Sequence, residues 1–315
     1  MGDNMRDNNF IIENNAKHLW HPMGAPGDSI NNPPKVITNA SGSQISDMDG
    51  HTTVDAVGGL WCVNLGYSNE AVKNAISEQL NHLPYYSGFA GTTNPAAIEA
   101  AYMVKEMFKA DGMEKVFFTS GGSDSVETCL RLSRQYHRLR GEPTRTKFIS
   151  LKKGYHGTHF GGASVNGNNR FRIAYEPLLP GCFHLPSPYT YRNPFNETDP
   201  QKLALNIAQT FEDEIAFQDK NTIAAFIMEP IQGAGGVIVP DPSFMSLMQE
   251  ICERNGILMI SDEVITGFGR TGSWSGARHW NVKPDMMSMA KGITSGYFPV
   301  GAALMGEKVA DVFEN

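Results

Sequence analysis

Short apolar runs, each followed by a small or polar turn, recur through the second half of the chain. Ile223-Ala224-Ala225-Phe226-Ile227-Met228 has no polar member, and Met286-Met287-Ser288-Met289 has a single one. Gly256-Ile257-Leu258-Met259-Ile260 is apolar up to Ser261-Asp262-Glu263. Strands with one wet face alternate apolar and polar residues. Runs without alternation suit strands covered on both faces, as in a parallel sheet. Val116-Phe117-Phe118 and Phe148-Ile149-Ser150-Leu151 read as two further strands. Between these runs the spacing becomes helical, over Ser125 to Leu139 and over Phe244 to Asn255, where Gly256 is a stop signal. Strands alternating with helices predict an α/β layered fold, a mostly parallel sheet flanked by helices.

The first part of the chain reads differently. Val36-Ile37-Thr38, Gln44-Ile45-Ser46-Asp47 and Thr52-Thr53-Val54 predict short strands around a turn at Asp49-Gly50. Helices are expected over Glu70 to Leu83 and Pro95 to Phe108. Residues 1–60 therefore form a separate N-terminal segment, part of a small domain, and residues 61–315 the large domain. Gly161 to Pro200, rich in Asn, Pro and Gly, reads as a long functional loop.

Composition narrows the function classes. The 315 residues are 41% hydrophobic and 19% charged, as expected of a packed globular chain. A net charge of −7 gives no general affinity for nucleic acid or anionic lipid. Cys62, Cys129, Cys182 and Cys252 show no CxxC spacing, which fits a reduced, cytoplasmic protein. No signal core precedes Asn9, Arg6 stands where a myristoylation motif after Met1-Gly2 wants Ser or Thr, and no apolar stretch has the length of a membrane span. Without a secretion signal, the sequon Asn196-Glu197-Thr198 reads as coincidence.

In open α/β sheets, ligands bind beyond the carboxyl ends of the strands, so the residues after each strand matter most. Thr119-Ser120-Gly121-Gly122-Ser123 precedes a helix, where free N–H groups and a hydroxyl make a phosphate cradle or simply a capped turn. Gly154-Tyr155-His156-Gly157 offers aromatic rings that could stack on a flat ligand or merely pack a turn. Glu229 before Pro230 and Asp262 after Ile260 read by default as a strand end and an N-cap. Lys291, between an apolar strand and Gly292-Ile293-Thr294-Ser295-Gly296, suits an amine held in a dry site, where it can attack a carbonyl. A lysine after one strand and an acid after another suggest pyridoxal phosphate: the lysine holds the aldehyde as a Schiff base, and the acid holds the pyridinium nitrogen.

Together with Glu229-Pro230-Ile231-Gln232-Gly233 and Asp262-Glu263-Val264-Ile265-Thr266-Gly267-Phe268-Gly269-Arg270-Thr271-Gly272, these motifs resemble the signature run of class III aminotransferases, which are fold-type-I pyridoxal-phosphate enzymes. The likeness runs in order from about Trp20 to the last residue. Gly59-Leu60-Trp61-Cys62-Val63-Asn64 and Tyr155 to Asn166 resemble the ω-amino-acid:pyruvate branch. The resemblance implies that Lys291 carries the cofactor and shuttles the proton, and that Asp262 pairs with the ring nitrogen. It implies that Gly121, Gly122 and Ser123 hold the phosphate, and that Tyr155, with His156 beside it, and Val264 cover the ring. Glu229 and Gln232 would lie near Asp262 and the phenolic oxygen. Leu60 and Trp61 would wall the substrate pocket, Phe89 would contribute across a homodimer interface, and Trp20 or Met23 would close the entrance. The reaction implied takes an amino group from a primary ω-amine or ω-amino acid donor to a 2-oxo acid, pyruvate, in a ping-pong cycle.

Ala234 stands where ornithine- and GABA-type members often carry a gating Glu, which argues for the pyruvate branch. The chain stops 24 residues after Lys291. The resemblance therefore implies a C-terminal truncation, with a small domain, a carboxylate-binding arginine and a phosphate-contacting threonine beyond it, and a weak or inactive piece on its own. Gly267-Phe268-Gly269-Arg270-Thr271-Gly272 also fits GxGxxG, but a dinucleotide fingerprint opens a helix directly after a strand, and Ser273-Trp274-Ser275-Gly276 is not helix-like. His156-Gly157-Thr158-His159 lacks a carboxylate or cysteine at ligand spacing, so no metal is expected. An aminomutase, a racemase or an inactive cofactor-binding fragment would present the same residues.

Overall fold

The structure is a computed structural model that describes residues 7–314. The myristoylation reading at Met1, Gly2 and Arg6 lies outside them. The chain divides into two compact units, Met1–Glu78 and Gln79–Asn315.

The first unit carries α1 (Asn8–Asn15), α2 (Pro26–Asn31), β1 (Ile37–Ser41), β2 (Gln44–Asp47), β3 (Thr52–Val54) and α3 (Gly58–Trp61). Its three strands form an antiparallel meander in the order β1-β2-β3. Asp47 closes the β2–β3 turn by accepting the N–H groups of Asp49 and His51. Gly59, Leu60 and Trp61 all have positive φ, at 61°, 77° and 61°. That conformation is costly for Leu and Trp. Asp55 holds it in place: Oδ1 accepts Val57 and Gly58 N–H, and Oδ2 accepts Gly59 N–H at 2.6 Å and the Tyr67 hydroxyl at 2.7 Å. This bond to Asp55, with some burial, pushes the Tyr67 hydroxyl up to about 12.

α4 (Glu70–His82) crosses the boundary between the units. The second unit continues with α5 (Pro95–Met107), β4 (Met113–Thr119), α6 (Gly122–Leu139), β5 (Lys147–Leu151), α7 (Phe160–Val165), β6 (Cys182–Leu185), α8 (Pro200–Gln218), β7 (Ile223–Met228), α9 (Phe244–Asn255), β8 (Leu258–Asp262), α10 (Gly276–His279), β9 (Met286–Met289), β10 (Gly301–Gly306) and α11 (Glu307–Glu314). Seven strands form one sheet in the order β4-β10-β9-β8-β7-β5-β6. The pairs from β6 through β9 are parallel, and β10 runs antiparallel to both neighbours. Because β10 reverses direction on both sides, β4 runs parallel to the rest. The ends of β4, β5, β7, β8 and β9 share one edge.

Both faces of this sheet are covered, and the strand residues alternate between two cores. Phe226, Met228, Met259, Met287 and Met289 pack with Leu203, Ile207 and Phe211 of α8 and Met245 and Met248 of α9. Ala225, Ile227, Leu258, Ile260 and Met286 pack with Val126, Cys129 and Leu130 of α6 and Val309 of α11. This double burial is why the strand sequences lack a polar face.

The stretch read as a loop from Gly161 to Pro200 holds most of α7 and all of β6. β6 is Cys-Phe-His-Leu at the sheet edge, with a single aliphatic residue to mark it. α8 and β10 were not expected. β10, Gly-Ala-Ala-Leu-Met-Gly, is fully buried but too rich in small residues to stand out as a strand. β8 begins later than the apolar run and extends through Ser261-Asp262, because those residues still pair with β9.

The turn after β8 is fastened by Glu263, which is fully buried. Its Oε1 accepts the Ser261 hydroxyl and Ala277 N–H, and its Oε2 accepts the Thr266 hydroxyl and Gly276 N–H. Burial pushes this carboxyl up, against the pull of those four donors. Removing the acceptor leaves two backbone N–H groups buried without partners, at roughly 1–3 kcal/mol each. Glu263→Ala should therefore cost about 2 kcal/mol or more in urea unfolding; a loss under about 1 kcal/mol would contradict this role.

Candidate active site

A cavity of about 140 Å³ opens where the strand ends converge in the second unit. Among the residues singled out from the sequence, Gly122, Ser123, Tyr155, His156, Glu229, Asp262, Val264 and Lys291 line it. They come from the end of β8, the start of α6 and the segments that follow β5, β7, β8 and β9.

Asp262, the last residue of β8, is 4% exposed. Its Oδ1 accepts the Ser288 hydroxyl at 2.9 Å and Val264 N–H at 3.2 Å, and its Oδ2 lies 2.8 Å from His156 Nδ1. A carboxylate there requires His156 Nδ1 to carry a hydrogen. His156 Nε2 is buried with no partner among the described residues. His156 thus lines the cavity while its ring is engaged by Asp262. Tyr155 meets Phe171 edge-on, with ring centroids 4.7 Å apart. Burial, and then the Asp262 charge, push its hydroxyl up.

Lys291 sits at φ 48°, a left-handed conformation rare for a side-chain-bearing residue and characteristic of functional sites. Across the cavity, α6 begins at Gly122 with no side-chain cap. The first N–H groups of a helix have no acceptor within it and favour an anion. Nothing lies within 4 Å of where a Cβ would stand on Gly121, so the approach there is open. Ser123 Oγ accepts Thr158 N–H at 3.1 Å, tying α6 to the turn after β5. The turn packs so closely that a Cβ on Gly157, whose φ is 100°, would stand 2.7 Å from Ser123 Cα.

Glu229 is 5% exposed and accepts Tyr155 N–H through Oε1 and Gly233 N–H through Oε2, both at 2.9 Å. Burial, with Asp262 adding to it, raises its carboxyl from 4.5 to about 7, although His156 and the two N–H groups oppose the shift. Gln232 stands outside the cavity wall. Its amide accepts the Ser187 hydroxyl at 2.5 Å and donates to the Lys152 carbonyl at 3.0 Å.

The structure does not bring Phe89 to this cavity; it is 84% exposed in the second unit. Trp20, Met23, Leu60 and Trp61 belong to the first unit, where Trp20 and Leu60 are largely exposed. Val126, Gly157, Ile265 and Ala290 complete the lining without having been singled out. Ser288 and Asn166, one contact further back, were also missed as site residues. Ser288 had a signal, as the lone polar residue in an apolar strand.

The family description "Aminotransferase class-III" matches residues 27–315. The chain is similar to an amine transaminase of an uncultivated Pseudomonas species, solved in its PLP-bound (internal aldimine) form. That likeness has 47% identity and a TM-score of 0.93, over 95% of this chain and 67% of that one. A putrescine–pyruvate aminotransferase of Pseudomonas aeruginosa is 38% identical over 88% of this chain and 60% of its own length. Gamma-aminobutyrate transaminase 1 of Oryza sativa subsp. indica is 36% identical over 93% of this chain and 57% of its own length. The chain belongs to the class III aminotransferases. It spans less than two thirds of the length of these two curated relatives.

The raised Glu229 has a stability consequence. The folded protein keeps a proton that the unfolded chain releases between pH 4.5 and about 7, so Glu229 makes folding less favourable as pH rises through that window. Glu229→Gln lacks this slope and carries only a constant cost for a mismatched amide. In cofactor-free urea unfolding, its stability relative to wild type should climb by more than ~1 kcal/mol across the window and then level off. A pH-independent difference would mean that Glu229 is not perturbed.

Proposed function

We propose that this chain carries the cofactor site of a pyridoxal-phosphate-dependent aminotransferase that moves an amino group from a primary ω-amine or ω-amino acid to pyruvate. The observation that carries the reading is the placement of Lys291, Asp262 and the uncapped start of α6 around one cavity. The residues fit the cofactor chemically. An anion cradle, an aromatic ring, an amine and a held carboxylate match its phosphate, pyridine ring, aldehyde and ring nitrogen. The amine transaminase likeness and the relative named for putrescine and pyruvate support the donor and acceptor classes. Transfer is also favoured over aminomutase or racemase chemistry, because these relatives are named transaminases.

When bound, pyridoxal phosphate supplies an aldehyde that condenses with amines and a ring that accepts electrons from the carbon beside the nitrogen. Gly122 and Ser123 offer N–H groups, and Ser123 a hydroxyl, to the phosphate; Gly121 leaves room for it. Asp262 would hold a proton on the ring nitrogen, which would keep the ring electron-poor. Val264 and Tyr155, which both line the cavity, would cover the ring. Lys291 Nζ would hold the cofactor at rest and, once displaced by the donor amine, would take the proton from the donor carbon and pass it to the cofactor carbon that carried the aldehyde. Glu229 lies on the same wall as Asp262, and Gln232 behind it.

We further infer a homodimer, in which exposed Phe89 meets the partner's site and Leu60, Trp61 and Trp20 shape substrate access. Ala234 in place of the gating Glu supports the pyruvate branch. It does not set the chain apart from proteins named for gamma-aminobutyrate, itself an ω-amino acid. The four cysteines form no disulfide among the described residues, and two of them are buried, which supports a cytoplasmic setting. No helix among the described residues is long and apolar enough to cross a membrane.

Lys291→Ala should abolish transamination while leaving weakened cofactor binding through the phosphate and ring contacts; equilibrium titration with the cofactor separates the two effects. Asp262→Asn should keep the cofactor and lose on the order of 100-fold or more in turnover, as expected when a preorganised charge is removed. Near-wild-type turnover would take Asp262 out of the mechanism. Alanine formation from pyruvate with ω-amine donors should exceed glutamate formation from 2-oxoglutarate with ornithine, and the reverse preference would overturn the donor and acceptor assignment.

A further inference from the structure

Ser288 is the only polar residue of β9, among Met286, Met287 and Met289, and it is fully buried. A hydroxyl in a strand covered on both faces is costly unless it is hydrogen-bonded. Its partner is Asp262. The two residues face each other in the β8–β9 register, and Ser288 Oγ donates to Asp262 Oδ1 at 2.9 Å. The same register lets Glu263 N–H donate to the Ser288 carbonyl, so the two backbones are fixed at that point.

The other carboxylate oxygen is held by His156, and His156 is held in turn. Asn166, fully buried, accepts His156 N–H at 2.5 Å through its side-chain oxygen and donates to the Gly157 carbonyl at 2.9 Å. Arg172 donates to the Asn166 carbonyl at 3.0 Å. Ser288 gives Oδ1 the shorter of two contacts, the other being Val264 N–H at 3.2 Å.

We propose that Ser288 is a positioning residue: its hydroxyl, opposed by the Asn166-anchored His156, fixes the plane of the Asp262 carboxylate so that it meets the cofactor's ring nitrogen. The inference rests on the proposed cofactor site. A carboxylate gripped on both oxygens does not turn about its Cβ–Cγ bond. Released on one side, it meets the ring nitrogen less well, and the proton there is held less firmly.

The test uses the full chain with ¹⁵N-labelled pyridoxal phosphate, comparing wild type with Ser288→Ala, Ser288→Thr and Ser288→Val. Thr and Val match in shape, so they separate the hydroxyl from the volume. The ring-nitrogen NMR signal should move toward its unprotonated position in the Ala and Val variants and stay near wild type in Thr. Cofactor affinity should fall about tenfold or more in Ala and Val, the loss of one hydrogen bond to a charged group. Equal signals for Thr and Val, or an unmoved signal in folded Ser288→Ala, would overturn the inference even if affinity fell. A wild-type chain that takes up no cofactor would instead overturn the proposed function, and this inference with it.

Discussion

A carboxylate buried at the end of a central strand is the constraint around which the second unit is organised. Asp262 is nearly inaccessible, and an ionised carboxylate in such a place is tolerable only with donors on both oxygens. One donor comes from the next strand, one from the turn after β5, and one from the backbone just ahead. Each requires a separate part of the fold to be in register. The parallel pairing of β8 with β9 sets Ser288 opposite Asp262. Asn166, Gly157 and Gly167 hold the His156 turn. A Cβ on Gly167 would stand 2.1 Å from the Leu151 carbonyl, so that approach admits only glycine.

Three acids lie in this region, and their surroundings give them different work. Asp262 is paired with His156 and faces the cavity. Its neighbour Glu263 points the other way along the strand end and takes four donors, none from the cavity side of the turn. Glu229 accepts two backbone N–H groups, one from Tyr155 and one from Gly233, and so joins the turn after β5 to the turn after β7. Burial in a dry wall raises its carboxyl, and the negative charge of Asp262 adds to the shift. The arrangement leaves one carboxylate facing the cavity while the others fasten the loops that frame it.

Much of this was legible in the sequence. β7 and β9 match their apolar runs residue for residue, because strands buried on both faces leave an unbroken signal. Residues at or just past the ends of such strands, Asp262 and Lys291 among them, could be gathered into one site because parallel strands end on one edge. β10 escaped because small residues pack as well as large ones without standing out, and β6 because an edge strand needs few aliphatics. The supporting contacts were beyond reach for a different reason. Ser288 meets Asp262, Asn166 meets His156 and Ser187 meets Gln232 across 26, 10 and 45 residues of chain, so only the folded register reveals them.

The central claim is that Lys291 is the amine that holds the cofactor. Borohydride reduction of the chain after incubation with pyridoxal phosphate, followed by peptide mapping, tests it directly. The account predicts a single labelled peptide containing Lys291. A label on another lysine, such as Lys283, or no saturable label at all, would contradict it.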